Sequence, residues 1–197
     1  ILSSISYIFI YILFNIFFYY TKYSLTLLIL DKNEIRGSLL SMNTVDLGLQ
    51  EIYDLALTTL KFNGCDNMNA EAVAGTVTDA ERDGSVSHGL FRIPGYVASL
   101  KSRKVKGNAK PSNKFLTQNA IRVDGDYGFA PTAIKVGIPA LVETTEKHGV
   151  GVLTITNTHH FAALWHETET LAEKNLIGIA CTAYKASVAP AGAKKPL

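Results

Sequence analysis

The sequence predicts an α/β fold in which a helical N-terminal region precedes a mixed sheet flanked by helices. Apolar residues recur at helical spacing in the first part of this region. Further along, the β-branched run Val150 to Thr156 has the composition of a buried strand, and an amphipathic segment of helical period follows it. Alternating strands and helices of this kind are typical of a mixed α/β core. We therefore expect a helical region over 42–110 and a partial α/β domain over 111–197.

Composition excludes several classes of protein. The 197 residues are 47% hydrophobic and 18% charged, which is typical of a globular chain and not of a disordered one. The net charge is +2, and the basic stretch 101–110 lacks interleaved aromatic residues, so we expect a solvated loop and no nucleic-acid partner. Cys65 and Cys181 match no metal or redox spacing. These cysteines favour a reducing compartment, and we expect a cytoplasmic protein without a bound metal.

Residues 1–41 differ in composition from the rest of the chain. Residues 1–21 carry no charge and are rich in Ile, Phe, Tyr and Leu, so by length they could span a bilayer. A second interpretation is that this leader is an artefact, translated AT-rich non-coding sequence, with a natural start at Met42. We favour the artefact, and the alternative is a membrane-anchored protein.

Two helices are expected first. The face of the first helix comprises Leu49, Ile52, Tyr53, Ala56 and Leu60, and the helix ends at Asn63-Gly64. Asn67 or Asn69 is expected to cap the second helix, which ends near Gly84 and has an apolar face made of Ala70, Val73, Ala74, Val77 and Ala80.

The α/β part is expected to start with a strand from Phe115 to Val123, closed by a turn at 124–128. A helix from Ala130 to Lys147 follows, and Pro139 inside it must kink or split it.

Two further elements are expected after the strand at Val150 to Thr156. These are a helix from Phe161 to Lys174 and a second buried strand from Leu176 to Ala183. No element follows to complete the sheet before Leu197, so we expect the chain to be a fragment.

The stretch Asp83 to Tyr96 contains the strongest candidate site. Ser87 is expected to cap a helix, which would put His88, Arg92 and Tyr96 on one face at i, i+4 and i+8. An imidazole, a guanidinium and a phenol on one face near a helix N-terminus could transfer a proton and bind an anionic substrate. The alternative is a capped surface helix with no function.

A second cluster follows the predicted strand at 150–156, where Asn157-Thr158-His159-His160-Phe161 leaves its carboxyl end. Ligands gather at such ends in α/β proteins. Because neighbouring side chains point in different directions, one of the two histidines is expected to be structural and the other to face the site. The sequence has no GxGxxG after a strand and no GxxxxGK[ST] motif, so a nucleotide would be bound by another device.

Four stretches, taken in order, resemble the malate/L-lactate dehydrogenase family that is unrelated to the Rossmann lactate dehydrogenases. They are Asp83 to Arg92, Asp124 to Phe129, Asn157 to Trp165, and Val188 to Gly192. The segments His160 to Trp165 and Val188 to Gly192 are most similar to those of the Δ1-piperideine-2-carboxylate/Δ1-pyrroline-2-carboxylate reductases within this family. The resemblance covers residues 47–197.

The resemblance implies a homodimeric oxidoreductase with a non-Rossmann NAD(P)-binding fold, using NAD or NADP, with NADPH favoured. It implies that Ser87 and His88 carry proton transfer, that Arg92 holds the substrate carboxylate, and that the segment around His160 lies at the nicotinamide and substrate. The expected catalytic residues are Ser87, His88 and His160, and the expected substrate-binding residues are Arg92 and Tyr96. The expected cofactor-binding residues are His160, Phe161, Ala162, Ala163, Leu164, Thr182 and Tyr184.

The implied reaction is reduction of a 2-oxo acid or a cyclic ketimine carboxylate, or oxidation of a 2-hydroxy acid. Three departures from the family pattern stand out: His166 replaces a proline, Ala183-Tyr184 replaces an Asn-Ser pair, and the C-terminal half of the fold is absent. That half is expected to supply a carboxylate partner for His88, whose pKa a helix N-terminus would lower. The alternatives are a catalytically dead remnant and a membrane-anchored binding module.

Overall fold

The computed structural model describes residues 45–160 and 162–182. Those residues form five α-helices, two short 3₁₀ turns and three strands. In chain order these are α1 Leu49–Phe62, α2 Asn67–Arg82, 3₁₀ turns at Val86–His88 and Leu90–Arg92, α3 Ile93–Lys101, β1 Ser112–Phe115, β2 Ala120–Phe129, α4 Ala130–His148, β3 Val152–His159 and α5 Trp165–Ala172. The leader 1–41 lies outside the described residues, as do Phe161, Ala183 and Tyr184.

The first two helices form as their periodicity predicts. Helix α1 buries Ile52, Ala56 and Leu60 but leaves Leu49 of its predicted face exposed, and it ends at Asn63, while α2 buries all five predicted apolar residues. The predicted cap of α2 is wrong. Asp66 is the N-cap, and its carboxylate accepts a hydrogen bond from the backbone N–H of Asn69. Asn69 is instead fully buried and donates from its side chain to the Ala109 carbonyl, because this amide faces the loop before β1.

Ser87 does not cap a helix, so this expectation is wrong. Ser87 lies inside the first 3₁₀ turn, and α3 begins only at Ile93. Gly89 separates the two turns with an extended ψ of −140°, which breaks the helical path. Pro94 then favours a helix start at this point, because proline is tolerated in the first turn. His88 and Tyr96 therefore do not share one helical face.

The described strands form a mixed sheet in the order β1–β2–β3. Strand β1 pairs antiparallel with β2, and β2 pairs parallel with β3 across the helical crossover α4. The predicted strand Phe115 to Val123 is in fact two paired strands joined by the residues 116–119.

The predicted turn at 124–128 is wrong, because these residues continue β2 as an irregularity in its pairing with β3. Asp126 and Tyr127 have φ values of 49° and 59°, and the Asp124 carboxylate accepts from the Asp126 N–H at 2.9 Å. Turn-forming residues therefore make a bulge here, after which the ladder resumes at Gly128 with Thr158 and at Phe129 with His159.

Helix α4 lies directly on the sheet and is one continuous helix, so Pro139 does not split it. Gly137 allows this close approach. A Cβ at Gly137 would come within 2.8 Å of Leu153 and 2.9 Å of Val123, the inward side chains of β3 and β2. Helix α4 can therefore lie this close to the sheet because Gly137 has no side chain.

The predicted strand Leu176 to Ala183 is wrong over the residues that the structure describes. Within 176–182 only Ile177 makes an isolated bridge, while Ala183 is outside the description. Leu176 is buried in the cluster that contains Leu171, but Ile177 and Ile179 are exposed. An apolar run indicates burial, whereas a strand also needs a paired backbone.

Two apolar clusters hold the described part of the chain. One joins β2, β3, α4 and α5, and the other joins α1, α2 and α3 and takes in Phe129 from the end of β2. Phe129 thus ties the sheet to the helices next to the carboxyl end of β3. The domain boundary at 110 stays a prediction. Of the helices within 45–160 and 162–182, none has the length and apolar character needed to cross a bilayer.

Candidate active site

The two 3₁₀ turns bring Ser87, His88 and Arg92 together. The Ser87 hydroxyl lies 2.9 Å from Nδ1 of His88, and the Ser85 hydroxyl lies 3.3 Å from the same nitrogen. The Nε of Arg92 donates to the Ser87 carbonyl oxygen at 2.6 Å. That bond leaves the two terminal guanidinium nitrogens to form the paired hydrogen bonds that suit a carboxylate. Sequence reasoning missed Ser85, although its place two residues before Ser87 was a usable signal.

His88 is half-buried, and its electrostatic setting disfavours charge. Burial, and then the nearby Arg92 guanidinium, lower the pKa of His88 below its ordinary value of 6.5. The direction agrees with the sequence-based expectation, but the cause is different, since no helix begins at Ser87. Within the described residues the hydrogen-bond partners of Nδ1 are the two serine hydroxyls.

Glu81, near the end of α2, supports this turn region. Its Oε1 accepts a hydrogen bond from the backbone N–H of Leu90 at 2.7 Å. A side chain at Gly89 would collide with the same carboxylate, so Gly89 lets the turn close onto α2. Sequence reasoning missed Glu81, because the contact spans nine residues and follows from the turn geometry.

The carboxyl end of β3 supplies the second half of the site. His160 leaves the strand with a φ of 51°, a left-handed conformation that is uncommon for a residue with a side chain. Its Nδ1 lies 3.1 Å from the hydroxyl of Tyr96 on α3. The neighbouring His159 turns elsewhere, with its Nε2 at 3.2 Å from the Ser99 hydroxyl. The two histidines thus contact different residues of α3, and the assignment of one to structure and one to function stays a prediction.

Packing around Tyr96 determines the charge states of Tyr96 and His160. Tyr96 is 4% exposed, and its ring meets Phe129 and His160 edge-on at centroid distances of 5.1 and 5.3 Å. Burial raises the pKa of Tyr96 to about 12. Burial, and then the charges of Arg92, His159 and His88, lower the pKa of His160 to about 4. At neutral pH the phenol is protonated and the His160 imidazole is neutral.

Tyr96 lies four residues after Arg92, so its contact with His160 brings the end of β3 to the turn region, where the charges of Arg92 and His88 lower the pKa of His160. The structure therefore gathers Ser87, His88, Arg92, Tyr96 and His160 in one region. Their individual roles stay predictions.

The expected cofactor segment lies between β3 and α5. Ala162, Ala163 and Leu164 are half-buried, and Leu164 packs against the sheet cluster. Thr182 is also half-buried, after α5, and the nicotinamide contact expected of these residues stays a prediction. Phe161 and Tyr184 lie outside the described residues.

A cavity of about 280 Å³ lies between α2, α4 and α5, and neither His88 nor Arg92 lines it. Ala162, Asp79, His166 and Glu167 are among its lining residues. His166 Nε2 pairs with the Asp79 carboxylate at 2.8 Å. Glu167 is 2% exposed, its Oε2 meets no hydrogen-bond partner among the described residues, and burial raises its pKa. No group of three or more His, Cys, Asp or Glu side chains suitable for a metal occurs in the described parts of the chain.

Comparison with known proteins gives one family. The family model described as malate/L-lactate dehydrogenase matches residues 47–197. The chain is 38% identical over 157 residues to Δ1-pyrroline-2-carboxylate reductase 1 of Burkholderia ambifaria, covering 80% of this chain and 46% of that protein. It is 40% identical over 153 residues to the Δ1-pyrroline-2-carboxylate reductase of Ancylobacter novellus, covering 78% and 45%.

Solved structures agree with this result. The crystal structure of Δ1-piperideine-2-carboxylate reductase from Pseudomonas syringae matches with a TM-score of 0.64 and 37% identity, over 66% of this chain and 40% of that one. Malate dehydrogenase from Pyrococcus horikoshii matches with a TM-score of 0.62 at 20% identity, which shows the shared fold alone, over 66% and 37%. The expected family resemblance and mixed α/β fold are confirmed, and the chain spans about half the length of the curated relatives it matches.

Proposed function

The chain belongs to the malate/L-lactate dehydrogenase family, and from this premise we propose that it supplies the proton-transfer and carboxylate-binding residues of an oxidoreductase. The proposed reaction is reduction of a cyclic ketimine carboxylate with NADH or NADPH. The names of the relatives support this substrate class, since they are reductases of pyrroline- and piperideine-2-carboxylate. Reduction of a 2-oxo acid, or oxidation of a 2-hydroxy acid, is the second candidate, favoured by the family's description.

The single observation that carries the proposal is the placement of His88 beside Arg92. Serine hydroxyls hold Nδ1 of His88 at 2.9 and 3.3 Å, which leaves Nε2 for the substrate. Reduction of C=N or C=O leaves a nitrogen or oxygen that must gain a proton, and an imidazole suits this task. Arg92 would bind the substrate carboxylate through its terminal nitrogens and so fix which face of the double bond receives the hydride.

The lowered pKa of His88 has a consequence for the order of events. Because Arg92 contributes to that lowering, an anionic carboxylate bound to Arg92 offsets the guanidinium charge and favours the protonated imidazole. Substrate binding would therefore favour protonation of His88, which supplies the proton that the reaction consumes. Oxidation in the reverse direction would use the neutral imidazole as a base.

A nicotinamide cofactor would supply the hydride, and NADPH is the favoured form. Ala162, Ala163 and Leu164 would contact its ring, and Phe161, Thr182 and Tyr184 are the further proposed contacts. We also propose that the whole protein is a cytoplasmic homodimer and that this chain alone does not turn over substrate. Size-exclusion chromatography with light scattering tests the oligomeric state.

The experiment joins this chain to the C-terminal part of the Burkholderia ambifaria relative and follows NADPH oxidation. Turnover of Δ1-pyrroline-2-carboxylate faster than pyruvate is expected, with no saturable NADPH fluorescence change for the chain alone. A folded chimaera that binds NADPH but reduces neither substrate would contradict the proposed activity. Tight NADPH binding by the chain alone would show that the cofactor contacts are complete here.

A further inference from the structure

The contact between Tyr96 and His160 joins two segments that are 64 residues apart. The Tyr96 hydroxyl lies 3.1 Å from Nδ1 of His160, and the rings meet edge-on. Tyr96 is itself held by Phe129, whose ring lies edge-on at 5.1 Å. A side chain that is 4% exposed and packed on two sides has little freedom, so its hydroxyl is a fixed partner for the imidazole.

The chemistry of the two groups favours one direction for this hydrogen bond. A phenol O–H is a good donor, and the unprotonated nitrogen of a neutral imidazole is a good acceptor. Burial keeps the phenol protonated and the imidazole neutral at pH 7, with pKa values of about 12 and about 4. The direction of the bond depends on the tautomer of His160, since a phenol oxygen can also accept from an Nδ1–H. If the Tyr96 O–H donates to Nδ1, the one N–H of the neutral imidazole is on Nε2.

The charges around His160 favour the same state. Arg92, His159 and His88 all disfavour a positive charge on this imidazole, while its own backbone carbonyl opposes them with a smaller effect. A neutral N–H donor can sit beside the Arg92 guanidinium without repulsion, whereas an imidazolium cannot. Arg92 has already committed its Nε to the Ser87 carbonyl. A substrate carboxylate bound by the two terminal nitrogens of Arg92 would then lie near His160.

We propose that Tyr96 is a positioning residue that holds His160 with its proton on Nε2, so that His160 donates a hydrogen bond to the substrate carboxylate and does not transfer the reaction's proton. The inference rests on the proposed function, because it assumes a carboxylate at Arg92. It assigns the two histidines different tasks. His88, on serine hydroxyls, exchanges the proton, and His160, on a phenol, stays neutral throughout. Tyr96 acts through His160 and makes no contact with substrate.

The first test is ¹⁵N NMR of the histidine-labelled full chain at pH 7, with His160 assigned by comparison with His160→Gln. The expected spectrum has an acceptor-type Nδ1 and a protonated Nε2. Tyr96→Phe keeps the ring that packs on Phe129 and removes only the hydroxyl. It should raise the pKa of His160 and mix its two tautomers, while the signals of His88 stay unchanged. A protonated Nδ1 in the wild-type chain, or an unchanged His160 in Tyr96→Phe, would overturn the proposal.

The second test titrates the same chains with pyrrole-2-carboxylate, a planar analogue that cannot be reduced. Binding should perturb Nε2 of His160 and weaken about 3- to 10-fold in Tyr96→Phe, the usual effect of one misplaced hydrogen bond. His160→Gln, which retains an N–H donor, should bind better than His160→Leu. Equal binding by all variants, or no binding to the wild-type chain, would overturn the donor role. Neither result depends on hydride transfer, so failure of the chimaera to oxidise NADPH would count against the proposed reaction and not against the donor role.

Discussion

The histidines in two regions of the molecule have different kinds of hydrogen-bond partner. At the meeting of α3, the 3₁₀ turns and the end of β3, His88 and His160 have hydroxyl partners and face a guanidinium. Between α2 and α5, His166 is paired with a carboxylate, Asp79, which also binds Arg82. Arg82 extends this network to Glu169 on α5. We refer to these regions as the hydroxyl cluster and the carboxylate cluster.

The partners decide what each imidazole can do. A hydroxyl can donate or accept, so it tolerates either protonation state of a histidine, and burial, together with the nearby positive charge, disfavours a charge on both rings. A carboxylate only accepts, so the ring nitrogen of His166 that faces Asp79 must carry a hydrogen, and the contact links two helices. On the proposed function, the hydroxyl cluster carries the chemistry and the carboxylate cluster holds α5 on α2. The predictions below test this division.

The largest expected difference is between His88→Ala and His166→Ala in the active chimaera. His88→Ala should lower kcat by roughly 10²- to 10⁴-fold, the usual contribution of general acid–base catalysis. His166→Ala should leave kcat near the wild-type value and lower only stability. Steady-state kinetics with thermal unfolding measure both effects. Comparable losses of kcat in the two variants would end the distinction between the clusters.

The next largest effect is expected for Glu81, because this residue holds the turn region that contains His88. Glu81→Ala removes the acceptor of the Leu90 N–H and should cost about 1–2 kcal/mol in the free energy of unfolding, with a smaller loss for Glu81→Gln. The matched control is Glu71→Ala, an exposed glutamate of the same helix. Urea unfolding measures the difference, and a Glu81 effect no larger than that of Glu71 would remove this support for the turn.

Acid should destabilise the hydroxyl cluster. Since the pKa of His160 is about 4 in the folded chain against an ordinary 6.5, the unfolded chain binds more protons between these values. Stability should therefore fall as pH drops from 6.5 towards 4, by at most about 1.4 kcal/mol per pH unit for each such histidine. Solvent reduces this slope, because His160 is only partly buried.

Urea unfolding across this pH range tests the slope. His160→Gln should flatten it, whereas His148→Gln, at the far end of α4, should not. A slope that is unchanged in His160→Gln would mean that His160 is not buried in its neutral form.

The smallest effect is expected in the carboxylate cluster. Asp79→Asn weakens a partly exposed ion pair and should cost at most about 1 kcal/mol in the free energy of unfolding, with no change in kcat. The difference from wild type should shrink in high salt, where such pairs are screened. A salt-independent loss would mean that the pair acts through packing against the neighbouring Glu167.

Local patterns predicted much of the fold. The faces of α1 and α2, the span of α4 and the strand β3 follow from residue periodicity, because each element buries one side against a core. The failures share a different cause. Ser87 carries a good capping side chain, but Gly89 and Pro94 set where α3 begins. Residues 124–128 have turn chemistry, but pairing with β3 makes them a bulge.

The site shows the same limit. Adjacent residues such as Ser87 and His88 could be recognised as a pair in the sequence. The contact of Tyr96 with His160 could not, since it depends on how α3 packs against the end of β3. Glu81 was overlooked because its partner is set by the 3₁₀ turns, which no local pattern predicted, whereas Ser85 could have been found from its place close to His88.

The mixed pairing of β2 has a consequence for the order in which the molecule folds. Its antiparallel partner β1 is reached through the residues 116–119, whereas the contact of Tyr96 with His160 closes 64 residues of chain. Loop-closure entropy makes the longer closure costlier by about 2.4 kcal/mol, at about 0.6 kcal/mol for each doubling of length. The hairpin should therefore form early and the paired imidazole late. During refolding, the far-UV signal of the sheet should return before the edge-on ring contacts of Tyr96 do, so the site reports the completion of folding.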